Sequence, residues 1–146
     1  MSKNIEVVRR ALDITVKAVQ RGDPAAAFDD CLRERLIAPD LAWRAGFRGR
    51  VGVAGLRDVV GREGFVEFMR TWTEDFEDFG IETERIIGLR RNRVLAITRQ
   101  RGVGKGSGAT VEMEISAIYK LKRRRIVQVE LFLEPRHAFQ AAGLRE

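Results

Sequence analysis

Ile5, Val8, Leu12, Val16 and Val19 recur at the three-to-four spacing of one helical face, and the run stops at Arg21-Gly22-Asp23-Pro24. This predicts a helix over 4–20. Asp23 and Pro24 then supply an N-cap and a first-turn proline for a second, shorter amphipathic helix carrying Ala25, Phe28, Cys31, Leu32 and Leu36. A short strand is expected at Leu41-Ala42-Trp43-Arg44. Gly46, Gly49, Gly52 and Gly55 follow, too many glycines for regular structure, so a loop is expected there. The strongest helical stripe starts at Gly61-Arg62-Glu63-Gly64 and places Phe65, Phe68, Met69, Trp72, Phe76 and Phe79 together. From Ile81 the period becomes two. Strands are predicted from Ile81 to Leu89, Arg93 to Val103, Thr110 to Leu121 and Ile126 to Leu133, joined by short turns as an antiparallel meander. Pro135 opens a last short helix through Leu144, with Glu134 expected as its N-cap.

No repeat or linker divides the 146 residues, so a single domain over 1–146 is expected, of the α+β class, with helices on one face of a curved antiparallel sheet. Composition mainly excludes. One cysteine, Cys31, leaves no internal disulfide and no cysteine-based zinc site, and one histidine, His137, closes most histidine-based metal sites. Neither a metal nor a cofactor is expected. No apolar run is long enough for a signal peptide or a membrane span, which points to the cytoplasm. The net charge of +6 raises the question of nucleic acid. Its basic clusters, Arg90, Arg91 and Arg93, then Lys120, Lys122, Arg123, Arg124 and Arg125, fall at predicted β-turns, where solvation explains them equally well. No recognition motif accompanies them, and the balance is against a nucleic-acid partner. Gly-Lys-Gly-Ser within residues 101–108 does not make a phosphate loop, because a strand follows it and not a helix.

The order of elements resembles the nuclear transport factor 2-like superfamily, and within it the SnoaL-like group of polyketide cyclases, ketosteroid isomerases and limonene epoxide hydrolases. The likeness covers nearly all of the chain. It rests on Arg21-Gly22-Asp23 ending the first helix, Ala38-Pro39-Asp40 before the first strand, Gly61-Arg62-Glu63-Gly64 opening the long helix, Arg125-Ile126-Val127 starting the last strand, and the glycine-rich hairpin over 101–108. The resemblance implies a cone-shaped, cystatin-like fold with a hydrophobic pocket. It also implies a homodimer formed sheet to sheet, in agreement with the apolar residues on both faces of the predicted ribbon. In the likeness, Ser116 stands where an isomerase has its oxyanion carboxyl, and Thr98 and Gln100 stand where an epoxide hydrolase has its Arg-x-Asp pair. Thr15 replaces the isomerase tyrosine, and Trp43, Ala45 and Leu131 fall at further catalytic positions. Both catalytic sets are missing.

A register that sets Gln100 opposite Glu112, Thr98 opposite Glu114 and Ala96 opposite Ser116 would gather Thr98, Gln100, Glu112, Glu114 and Ser116 on the cone face. A shift of one residue would exchange faces and bring Glu130 inward. On the first register Glu114 is the candidate general base, its pKa raised by apolar neighbours, with Gln100 and Ser116 as hydrogen-bond partners. The ligand-binding candidates are Thr15, Trp43, Phe65, Phe68, Met69, Trp72, Phe76, Thr98, Glu112, Leu131 and Leu133. Two functions are then open: cofactor-independent isomerase, cyclase or hydrolase chemistry on an apolar carbonyl or epoxide compound, or binding of a small apolar molecule or another protein without catalysis. Whether the chain is an enzyme stays open at this level.

Overall fold

The computed structural model describes residues 2–45 and 58–144. Helices α1 (Ser2–Gln20) and α2 (Pro24–Arg33) open the chain. Asp23 caps α2 as expected, its side chain accepting from the Ala26 N–H at 3.2 Å. Strand β1 (Ile37–Ala45) is longer than the predicted short strand, and a two-residue β2 (Val59–Val60) pairs with it. The glycine-rich stretch from Gly46 to Gly55 lies outside the described residues. Then come α3 (Gly61–Thr73), β3 (Phe76–Leu89), β4 (Arg93–Gly104), β5 (Thr110–Lys122), β6 (Arg125–Phe132) and α4 (Pro135–Ala142).

The six strands form one sheet in the order β2-β1-β6-β5-β4-β3, in which β3 to β6 make the predicted antiparallel meander. Against β6, β1 runs parallel, a pairing that local periodicity does not show. Helices α1, α2 and α3 cover the concave face, and their apolar stripes join the sheet in one core around Val8, Phe28, Phe65, Phe68, Val94, Ile115 and Ile126. Each large aliphatic or aromatic side chain so buried is worth about 1.5–3 kcal/mol.

Helix α3 corrects the sequence reading. The predicted stripe ran on through Phe76 and Phe79, but the helix ends at Thr73, whose hydroxyl donates back to the Met69 carbonyl at 2.8 Å. Phe76 and Phe79 begin β3 instead, because that strand pairs with β4 as far as Gly104 and satisfies their backbone in the ladder. Phe76 packs on Gly102, where an added Cβ would lie 2.9 Å from the phenylalanine Cβ.

The convex face is covered in part by the chain itself. Ala138 and Ala142 of α4 pack on Leu89, Leu95, Ile118 and Phe132. Part of the apolar surface that argued for a second subunit is therefore closed internally. Glu134 occupies the N-cap position of α4 without making a side-chain cap bond, and Gly143 ends the helix in the left-handed conformation.

Candidate functional site

The decisive correction is one residue of register. In the β4–β5 ribbon Gln100 pairs with Met113, Thr98 with Ile115 and Ala96 with Ala117. Because side chains alternate, the shift moves every second residue of β5 to the opposite face. Val94, Ala96, Thr98 and Gln100 share the concave face with Ile115, Ala117 and Tyr119. Glu112, Glu114 and Ser116 stand on the convex face with Leu95, Ile97, Arg99 and Arg101. Glu130, paired with Ile118, is also convex, so the shift does not bring it inward.

Inside the cone lies a hollow of about 80 Å³. Thr15 of α1, Trp43 of β1, Phe65, Phe68, Met69 and Trp72 of α3, Thr98 and Gln100 of β4 and Leu131 of β6 line it, all of them sequence candidates. Of the remaining ligand candidates, Phe76 lies off this wall against Gly102, and Leu133, just past the end of β6, packs against the same core without lining the hollow. Glu112, Glu114 and Ser116 are not on the wall either. The aromatic side is ordered by edge contacts, with Trp43 against Phe65 and Phe68 at centroid separations of 5.1 and 5.7 Å.

The polar groups on the wall fall into two kinds. One kind is satisfied internally. The Trp72 indole N–H donates to Gln100 Oε1 at 2.7 Å, Gln100 Nε2 to Thr98 Oγ1 at 3.3 Å, and Thr98 Oγ1 to the Ile115 carbonyl at 3.2 Å. Thr15 Oγ1 and Cys31 Sγ both donate to the Ala11 carbonyl, at 2.8 and 3.8 Å. The other kind has no partner. The Trp43 indole N–H is buried without an acceptor among the described residues. Tyr119 is 7% exposed and makes no hydrogen bond among the described residues. Its pKa is raised by burial, with a further contribution from nearby Cys31, so the phenol remains a neutral donor. Burial likewise pushes the Cys31 thiol up to about 12, which keeps it protonated.

The sequence reading missed Tyr119, because the shifted register had placed it on the other face. It is the chain's one tyrosine, and that rarity was the only signal available. Among the described residues no carboxylate or imidazole lines the hollow, and segment 46–57 contains no Asp, Glu or His. No cluster of three or more His, Cys, Asp or Glu among the described residues is placed to hold a metal ion.

On the convex face Glu84 and Glu112 meet cations. Arg99 reaches Glu112 on one side and Glu84 on the other, the latter at 3.1 Å, and Arg101 reaches Glu112 at 3.1 Å. Hydrogen bonding to Arg99, with smaller charge contributions from Arg101 and Arg99, holds the Glu112 carboxyl below its ordinary range. Ser116 Oγ is buried on this face with no partner among the described residues.

Solved structures of the same fold align over nearly the whole chain. A protein of unknown function from Burkholderia pseudomallei, described as NTF2-like, aligns at 17% identity with a TM-score of 0.66, covering 97% of this chain and 98% of its own. TerC, co-crystallized with polyporic acid, gives 16% identity, coverages of 96% and 97% and a TM-score of 0.66. A hypothetical protein from Catenulispora acidiphila with a ketosteroid isomerase-like fold, in complex with trimethylamine, gives 13%, coverages of 92% and 93% and a TM-score of 0.65. No curated protein matches the sequence. At such identities the structures establish the nuclear transport factor 2-like cone fold, and the family assignment comes from the sequence itself. Residues 8–129 match the SnoaL-like domain, and the chain belongs to that family.

Proposed function

We propose that the chain binds a small, neutral, largely apolar molecule bearing one hydrogen-bond acceptor, such as a ketone, in the cone. The observation that carries this reading is the Trp43 indole N–H, buried without a partner among the described residues, on a largely apolar wall that also carries the Tyr119 hydroxyl. A buried polar group without a partner costs free energy, and an acceptor on a ligand would recover it. The described wall carries no ionised group, so a charged ligand would enter without compensation. Two relatives of the same fold, TerC with polyporic acid and the Catenulispora protein with trimethylamine, also hold small molecules. Any chemistry at this site would begin with polarisation of the ligand's acceptor by Tyr119, since Glu114 is on the other side of the sheet. The reading places this binding in the cytoplasm, and no described helix is long and apolar enough to cross a membrane.

The test uses the chain's only two tryptophans, Trp43 and Trp72, which both line the hollow. Their fluorescence is followed while cyclohexanone, or methylenecyclohexane of nearly the same shape, is added. The ketone should bind about tenfold more tightly, as one extra hydrogen bond implies. Equal binding of the two, or no response to either, would remove the proposal.

A second observation bears on assembly. The convex face beyond α4 alternates Arg99 and Arg101 with Glu84 and Glu112, a pattern complementary to itself across a two-fold axis. It supports a homodimer through this part of the sheet, which sedimentation would show as twice the 16.6 kDa chain mass.

A further inference from the structure

The basic clusters that the sequence reading assigned to solvated turns are gathered by the fold at one end of the sheet. The β3–β4 turn carries Arg90 and Arg91, and the β5–β6 turn carries Arg123 and Arg124 between Lys122 and Arg125. Arg93 pairs with Lys120, and the Leu121 N–H donates to the Asn92 carbonyl at 2.8 Å, so the two turns lie side by side. Residue Ile126 pairs with Ile37 at the start of β1, which brings in Arg35 from the α2–β1 connection. Asn4 is bonded to Asn92 at 3.3 Å, which adds the first turn of α1 and its Lys3.

Nine exposed cations therefore share this pole, and none makes an ion pair among the described residues. The nearby acids Asp30 and Glu34 are already held by Arg33 and Arg10. Glu6 on α1 is a further exposed carboxylate, three residues beyond Lys3. Setting the nine aside leaves 18 of the 27 Lys and Arg against 21 Asp and Glu, so the pole accounts for more than the whole net charge. The neighbouring turns are separated by two strand spacings, roughly 10 Å, and Arg35 extends the row toward β1.

Backbone conformation supplies an independent observation. Six non-glycine residues among those described have positive φ, and five of them are Arg35, Arg91, Asn92, Arg123 and Arg124 of this pole. A two-residue hairpin with positive φ at both central positions favours Asn-Gly, Asp-Gly or Gly-Gly, yet this one holds two arginines. Charge is kept there against backbone preference, and strain of that kind marks functional positions.

We infer that this pole is a docking surface for the phosphate backbone of duplex nucleic acid, bound without sequence selection. Six of the nine cations are arginines, whose planar fork matches phosphate oxygens. Val60, on β2, is the one large hydrophobic exposed among the described residues, and it pairs with Ala42, well along β1 from this end. Among the described residues the pole thus shows no exposed large apolar group to enter a membrane or to form the core of a protein interface, whereas phosphate binding requires only charge.

The experiment measures anisotropy of a fluorescein-labelled 20-base-pair duplex of random sequence between 50 and 200 mM salt, with phosphatidylserine vesicles in a parallel arm. The duplex should bind, with affinity falling linearly on a log–log salt plot. The triple variant Arg91→Asn, Arg123→Asn, Arg124→Asn should bind at least tenfold more weakly at 50 mM salt, with a slope shallower by about 0.9 for each phosphate left unneutralised. It should melt no lower than the parent, because asparagine accepts positive φ more readily than arginine does. The charge-matched variant Arg21→Asn, Arg70→Asn, Lys105→Asn, altered at exposed sites away from the pole, should keep its affinity. Absence of duplex binding, vesicle binding alone, or equal weakening in the two triple variants would overturn the inference.

Discussion

The two faces of the β4–β5 ribbon are made from consecutive residues of the same strands, yet they solve opposite physical problems. The convex face holds charge, and it pairs part of it, with Arg99 between Glu84 and Glu112. Partial exposure lets water share the cost of those ions. The concave face is largely apolar, and its polar groups are neutral, some closed on one another and the Trp43 N–H without a partner among the described residues. The contrast teaches that the carboxylates of β5 belong to the sheet's outer electrostatics, while the binding proposed for the cone rests on neutral donors.

The sharpest way to break this comparison is to exchange charge between the faces. Ile115 is 2% exposed on the concave side, and Ile115→Glu should destabilise the fold by more than about 4 kcal/mol, because it buries a carboxylate with no cation beside it. The neighbouring change Glu114→Ile should alter stability by less than about 1 kcal/mol. Chemical denaturation of the two variants checks both, and comparable losses would mean that the faces are not distinct.

Next in size is Trp72→Phe, which leaves Gln100 Oε1 without its donor and should cost about 1–3 kcal/mol in the same measurement. Smaller in stability, though not in binding, is Tyr119→Phe. Removing a hydroxyl that has no partner should shift stability by no more than about 1 kcal/mol, while the preference for cyclohexanone over methylenecyclohexane falls about tenfold. A large loss of stability with unchanged ligand preference would instead assign the hydroxyl a structural role.

The smallest effect belongs to the convex ion network. Glu112 has a lowered pKa in the folded chain, so the stability it contributes is fully present above the ordinary carboxylate value of about 4.3. That contribution is lost as pH falls through the lower folded value. Glu112→Gln should therefore reduce the melting temperature slightly at pH 7, and the difference from the parent should disappear well below pH 4.

Much of the cone was legible in the sequence. The helical stripe from Phe65 to Trp72 pointed to the residues that wall the hollow on its aromatic side, and Thr15, Trp43 and Leu131 line the hollow with them. The stripe misled only at Phe76 and Phe79, where the three-to-four spacing persisted by chance into residues that pair as a strand. Glu114 was misplaced for a different reason. Strands β4 and β5 carry apolar residues on both faces, so alternation does not reveal which face is buried.

Local periodicity thus determined the order and type of the elements, the α+β class and the family likeness, because each follows from neighbouring residues. Register and the gathering of turns were decided only by the folded chain. The glycine-rich tip tolerates more than one hairpin length, and the choice among them falls to pairing and packing across the sheet. The same sheet brought together arginines from three separate turns, at sequence separations no local pattern spans, and turned Tyr119 inward while it sent Glu114 out.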